Sequence, residues 1–270
     1  MRFLRYQTSD GPSFGVVDRD GSVRQVRGSP LGEHSVGETV GRLDELRLLA
    51  PLEPSKIVCV GMNYADHVAE SGAKMPEFPL YFLKPATTLV GHGAPIVYPR
   101  DSSNVHYEAE LVIVVGRRGR RIPESEAARY VFGYTCANDV SARDWQRKEM
   151  AEGFLLHGKS FDTFAPLGPV IDTEVDGSDL AIELRLNGEV KQRSRTSQLI
   201  FGVPRLISDV SQFMTLEPGD VILTGTTSGV GPMQPGDRVE VSIESIGTLA
   251  NPVEAEAGDE RWPSAARSST

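Results

Sequence analysis

Cysteine is nearly missing from this chain of 270 residues. Cys59 and Cys136 are the two present, each among apolar or small neighbours (KIVCVG and GYTCAN). Neither has the paired spacing of a disulfide framework or of a thiolate metal site, so both read as buried free thiols in a reducing compartment. Long hydrophobic runs are also missing. The longest, LVIVV from Leu111 to Val115, falls far short of a membrane span. The start, MRFLRYQTSDGPSF, lacks the apolar stretch of a signal peptide, and the expectation is a soluble cytoplasmic protein without a membrane partner. There is no basic surplus: 28 Lys and Arg face 37 Asp and Glu, a net charge of −9, which argues against nucleic acid as a partner. The zincin pattern H-E-x-x-H and the nucleophile elbow G-x-S-x-G do not occur, so two common hydrolytic chemistries have no support. What the chain does have is an ordinary apolar share of 39% and many punctuating residues, 27 Gly and 18 Pro. That composition implies a folded, turn-rich protein of many short strands.

The first fifty residues form a unit of their own. FGVVD and SVRQV flank Asp20-Gly21, a hairpin signal, and the spacing of Val40, Leu43, Leu46 and Leu49 predicts a helix over 36–49. Pro51 and Pro54 then mark a boundary, giving a small N-terminal α/β domain over 1–54. From Lys56 onward short strands dominate. KIVCVG, PLYFLKP, EAELVIVVG, LAIELRLNGEV, PGDVILTG and PGDRVEVSIESIG all read as strands, with a short helix over NYADHVAESG ending at Gly72. The result is a β-rich α+β domain over 55–252, followed by a polar tail over 253–270.

One motif match is misleading. Gly153 to Ser160 reads G-x-x-x-x-G-K-S, the phosphate-loop pattern. Such a loop needs a buried strand before it and a helix after it. Here a charged, helix-like RDWQRKEMAE precedes it, and Pro166 and Pro169 follow soon after. The nucleotide reading therefore fails on context.

The chemically suggestive residues are carboxylates. Glu108 and Glu110 lie two apart at the entry of a wholly apolar strand, so the period of two puts both on one face. Like charges there lose hydration and repel, unless a cation or proton intervenes. Asp139 follows another apolar stretch, and three carboxylates would suit a hard divalent ion such as Mg²⁺. The pattern alone leaves open a solvated strand end for the glutamates and a helix N-cap for the aspartate. His67 and Glu70 are three apart on a helical stretch, either a surface pair or an imidazole held as a general base. The glycine-rich TGTTSGVG from Thr224 to Gly231 is either a tight turn or a loop wrapping a ligand.

Taken in order, GMNYADHVAE, YFLKP, YEAELVIVVG, NDVSARDWQ, GKSFDTFAPLGP, LNGEV and EPGDVILTGTTSGVG resemble the fumarylacetoacetate hydrolase family over roughly residues 55 to 252. The resemblance implies a mixed β-sandwich roll, usually a homodimer. It also implies Mg²⁺ (or Mn²⁺) on Glu108, Glu110 and Asp139, the trio that the charge argument picks. It further implies His67 and Glu70 as a water-activating dyad, with Lys159 as a further catalytic group. Lys84, Arg143, Gln146 and Thr226 are expected at the substrate. The small-molecule substrate implied is a 2-oxo or 1,3-dicarbonyl acid, cleaved at a C–C bond by hydrolysis. Decarboxylation and isomerisation or tautomerisation at the same metal site are the alternatives. Two departures stand out. Thr227 replaces the proline of the family loop T-G-T-P-x-G-V-G, and no tryptophan stands near Leu155.

Overall fold

In the computed structural model, which describes residues 1–258, strands dominate and three short α-helices punctuate them. A twelve-stranded mixed sheet is the backbone of the molecule. Its main path runs His34–Arg42, Ser22–Gly28, Gly11–Val17, Arg2–Thr8, Ala165–Asp172, Val131–Asn138, Ala109–Val115, Val221–Thr226, Ile57–Gly61 and Leu80–Lys84. The N-terminal unit thus joins the rest edge to edge, through Arg2 opposite Asp172 and Phe3 opposite Ile171. A five-stranded sheet (Glu189–Arg195, Ala181–Leu186, Arg238–Ile243, Gly247–Ala255 and Ile96–Tyr98) covers one face.

The Ala109–Val115 strand explains why two sheets pack here. It is buried along its whole length, as a strand covered on both faces must be. Leu111, Ile113 and Val115 enter one core with Ile182, Leu184, Val241 and Leu249 of the five-stranded sheet. Val112 and Val114 enter a second core with Ile57, Cys59, Leu167 and Leu223. Both cysteines are free and buried. Among the described residues, no helix is long and apolar enough to cross a membrane.

Two expectations fail. Residues 36–49 form no helix; His34–Arg42 is an edge strand, antiparallel to Ser22–Gly28, and the structured part of the N-terminal unit is built from strands. The stretch holds Gly37 and Gly41 and the β-branched Val36, Thr39 and Val40, all poor in a helix. Most of its side chains are exposed, so no apolar stripe is buried to hold a helix in place. The polar tail begins later than expected. The Gly247–Ala255 strand continues past Pro252, and Val253, Glu254 and Ala255 run parallel to Ile96, Val97 and Tyr98. That pairing partner lies more than 150 residues upstream, beyond any local signal. The remainder of the tail, 259–270, lies outside the described residues.

Candidate active site

Strand register assembles the carboxylates. Ala109 pairs with Asn138 and Glu110 with Ala137 in the antiparallel ladder. Glu108 and Asp139, one residue beyond that pairing on each strand, therefore meet, and the Asp139 N–H donates to the Glu108 carbonyl at 2.9 Å. The Asn138 side chain accepts the Glu108 N–H at 2.8 Å and holds the turn. On the other side Glu110 pairs with Thr226, next to a bulge, and its Oε2 accepts the Gly225 N–H at 2.7 Å. All three acids are buried, and one ligand oxygen from each lies within 4.8 Å of the others.

Three cations surround the trio. Lys159 Nζ donates to Glu108 Oε2 at 2.8 Å and to Asp139 Oδ2 at 2.7 Å. Arg143 donates to Glu108 Oε1 at 2.5 Å and to Gln146 Oε1 at 2.6 Å. Lys84 donates to Asp139 Oδ1 at 2.5 Å and to the Val140 carbonyl at 3.1 Å. The cations are not shared equally. Burial alone would raise the Glu108 carboxyl, but Lys159 and Arg143 hold it well below its ordinary range. Burial lowers Lys159 in turn, yet Asp139 and Glu108 outweigh it and the ammonium is held above its usual value. Among the described residues, Glu110 has no ion-pair partner. Burial, then Asp139 and Glu108, push its carboxyl well above the normal carboxylate range. Oxygen donors alone, converging on a buried point with one acid charge uncompensated, fit a hard divalent ion of the Mg²⁺ or Mn²⁺ kind.

These groups open onto a cavity of about 170 Å³ whose wall includes His67, Glu108, Glu110, Asp139, Arg143, Gln146, Lys159 and Thr226. The rest of the wall is apolar, with Val60, Leu80, Tyr81, Phe82, Met150 and Leu155. Thr226 donates its hydroxyl to the Ala109 carbonyl at 2.9 Å. Two expected residues do not line the cavity. Lys84 is fully buried beneath Asp139, a support for the acid rather than a group facing the cavity. Glu70 is exposed, and its carboxylate accepts the Gly229 N–H at 3.0 and 3.1 Å. His67 Nδ1 lies 3.6 Å from Glu70 Oε2, and this buried nitrogen has no hydrogen bond among the described residues. A larger hollow of about 550 Å³, bordered by Phe132, Tyr134, Asp176 and Val203, contains none of the expected site residues.

The phosphate-loop match resolves structurally. The Leu156, His157 and Gly158 N–H groups, which a phosphate would use, all point at the Glu149 carboxylate, at 3.2, 2.6 and 2.9 Å. The helix Arg143–Ala151 supplies that carboxylate from the preceding segment, and a 3₁₀ turn, His157–Lys159, delivers Lys159 to the acids. Glu149, Asn138, Asn63 and Gln192 also support the site, without a motif that marks them in the sequence. The last three are buried polar side chains: Asn138 accepts the Glu108 N–H, whereas Asn63 and Gln192 each bridge two backbone segments. Gln192 left one signal, an amide on the inward-facing phase of a charged, alternating strand.

Comparison with known proteins agrees with this geometry. A family profile described as fumarylacetoacetate (FAA) hydrolase C-terminal matches residues 56–254, and one described as Rv2993c-like, N-terminal, matches residues 1–51. The chain belongs to the fumarylacetoacetate hydrolase family. Among solved structures, a 5-carboxymethyl-2-hydroxymuconate delta-isomerase from Mycobacterium smegmatis superposes with a TM-score of 0.87 at 46% identity, over 95% of this chain and 100% of that one. The fumarylpyruvate hydrolase of Pseudomonas aeruginosa, in complex with Mn²⁺ and pyruvate, gives a TM-score of 0.72 at 37% identity, over 79% of this chain and 93% of that one. A Xenopus laevis protein named as a mitochondrial oxaloacetate tautomerase is 40% identical over 288 residues, 94% of this chain and 90% of its own length. Members of the family related to this chain are therefore enzymes of hydrolase, isomerase and tautomerase type.

Proposed function

We propose that this chain is a divalent-metal-dependent enzyme acting on a small 2-oxo or 1,3-dicarbonyl acid through its enolate. The observation that carries the proposal is the convergence of three buried carboxylates, with ligand atoms within 4.8 Å, on the same wall as His67, Lys159, Arg143 and Gln146. Glu108, Glu110 and Asp139 would hold an Mg²⁺ or Mn²⁺ ion, which supplies Lewis acidity and a template for the adjacent oxygens of such an acid. Lys159 sets a fixed positive charge against the negative charge that develops as the enolate forms. Arg143 and Gln146, bonded to each other, offer N–H groups to a substrate carboxylate. His67, on the wall and short of a partner at Nδ1, takes the proton, and Glu70 orients it.

The enolate serves two outcomes. Proton return to a different atom is isomerisation or tautomerisation, which asks only for a base on the cavity wall. C–C hydrolysis of an acylpyruvate- or fumarylpyruvate-type acid asks in addition for a water on the distal carbonyl. Proton transfer is favoured here because the wall already holds the one base it asks for, His67, and the cavity, at about 170 Å³, suits a short acid. A homodimer belongs to the same proposal and is read directly by light scattering.

The test is product analysis of oxaloacetate, acylpyruvates and 2-hydroxy-dienoates, each with Mg²⁺, with Mn²⁺ and with chelator. Enol–keto exchange or double-bond migration, lost with chelator, is the expected result. Cleavage products would move the assignment to hydrolysis and carbon dioxide release to decarboxylation. Full turnover by metal-free Glu108→Ala protein would end the proposal.

A further inference from the structure

One strand outside the cavity touches each part of the site. Glu189–Arg195 forms an edge of the five-stranded sheet, with Gln192 on its inner face, buried to 1% exposure. The Gln192 side chain is satisfied at both ends. Its Oε1 accepts the Ala109 N–H at 2.9 Å, and Ala109 is the residue between the two glutamates. Its Nε2 donates to the Thr226 hydroxyl and the Thr227 carbonyl, both at 2.9 Å. The next residue back, Lys191, presses its carbonyl against the glycine loop: a Cβ on Gly229 would lie 2.2 Å from that oxygen. Gly229 in turn holds Glu70 through its N–H. Two residues beyond Gln192, the Ser194 hydroxyl donates to Asp66 Oδ2 at 2.7 Å, on the helix residue next to His67.

We propose that this strand sets the distance between the proton-transferring pair, His67 and Glu70, and the acid pair, Glu108 and Glu110, with Gln192 and Ser194 as positioning residues for the reaction. Three independent anchors support it: the peptide between the acids, the loop under Glu70, and the helix under His67. Gln192 also takes over a task left by Thr227. Where the family proline would stiffen the backbone by its fixed φ, here the Thr227 carbonyl is held by the Gln192 amide. The proposal rests on the reading that the carboxylates hold a divalent ion and His67 moves the proton.

The experiment compares wild type, Gln192→Leu and Ser194→Ala, each as the full chain. Mn²⁺ binding is measured by calorimetry, kcat and KM on the best 2-oxo acid of the panel, and amide hydrogen exchange at Ala109 and Gly229. Loss of supporting contacts around a metal site costs on the order of 10- to 100-fold in affinity or activity. Gln192→Leu is expected to weaken Mn²⁺ binding and lower kcat within that range, and to speed exchange at both amides. Ser194→Ala touches only the dyad side. It is expected to lower kcat about tenfold with KM and Mn²⁺ affinity unchanged, the signature of a contact that matters in the transition state. Variants that lose thermal stability alone, with kcat and Mn²⁺ affinity at wild-type values, would overturn the proposal. Should Gln192→Leu fail to fold, the kcat of Ser194→Ala decides it. Wild-type protein that binds no Mn²⁺ and turns over no 2-oxo acid would refute the proposed function. The exchange rates at Ala109 and Gly229 would then still show whether the strand fixes the site.

Discussion

Gly225 meets two demands at once. Its N–H holds Glu110, and its φ of +101° lies in the region that side chains avoid. A Cβ there would sit 2.9 Å from Cβ of Asn63 and 3.1 Å from the Val60 carbonyl. Gly225→Ala should therefore destabilise the protein by about 1–3 kcal/mol in urea unfolding and weaken Mn²⁺ binding in calorimetry. Wild-type stability together with wild-type Mn²⁺ affinity would show that the N–H contact is dispensable. At this scale the sequence was uneven. The period of two placed Glu108 and Glu110 on one face because strand geometry is local. Nothing local marks Lys84 as the support of Asp139 rather than a group facing the cavity, since its position depends on two strands meeting at Asp139. Gln192 and Asn138 look like ordinary polar residues until the backbone groups they satisfy are brought to them by the fold.

The connection from the Arg143–Ala151 helix to Lys159 is held by a single carboxylate. Glu149, in the last turn of the helix, gathers three N–H groups of the returning chain. Burial works against its carboxylate, but those N–H groups hold its pKa below the usual glutamate value. Glu149→Gln exchanges a charged acceptor for a neutral one, and each such bond to a charged group contributes about 1.5–3 kcal/mol. Faster amide exchange at Leu156, His157 and Gly158 is expected, with a raised KM because Leu155 and Lys159 both line the cavity. Unchanged exchange would mean that the Trp145–His157 stack, with rings 4.0 Å apart, holds the segment without help. The letters G-x-x-x-x-G-K-S describe this connection and yet mislead, because a phosphate loop is defined by the strand and helix around it. The His34–Arg42 strand errs the other way. The spacing of three through Val40, Leu43, Leu46 and Leu49 suggests a helix, but Val40 lies in this strand, paired with Ser22–Gly28, and Leu49 pairs with Arg5.

On the scale of the whole molecule, the site sits where the large sheet, the five-stranded sheet and the glycine loop come together, so an ion bound there ties distant segments of the chain. Folding and binding are then linked. Mn²⁺ at one hundred times its Kd should raise the unfolding free energy by about 2.7 kcal/mol, seen as a higher Tm that chelator reverses. Asp139→Ala should abolish the rise while leaving the protein folded, and a full rise in that variant would place the ion elsewhere.

Local rules sufficed for much of this protein: the β-rich character, many of its strands, the short helix closed by Gly72, the paired glutamates and the ordered motifs that mark the family. Each depends on residues a few positions apart, where periodicity and turn chemistry act. Other features needed the folded chain. The meeting of Glu108, Glu110 and Asp139 with three cations, the continuation of the last strand past Pro252, and the bracing of the site by Gln192 join segments tens to more than a hundred residues apart. Strand register and close packing set those distances, and only the tertiary structure contains them.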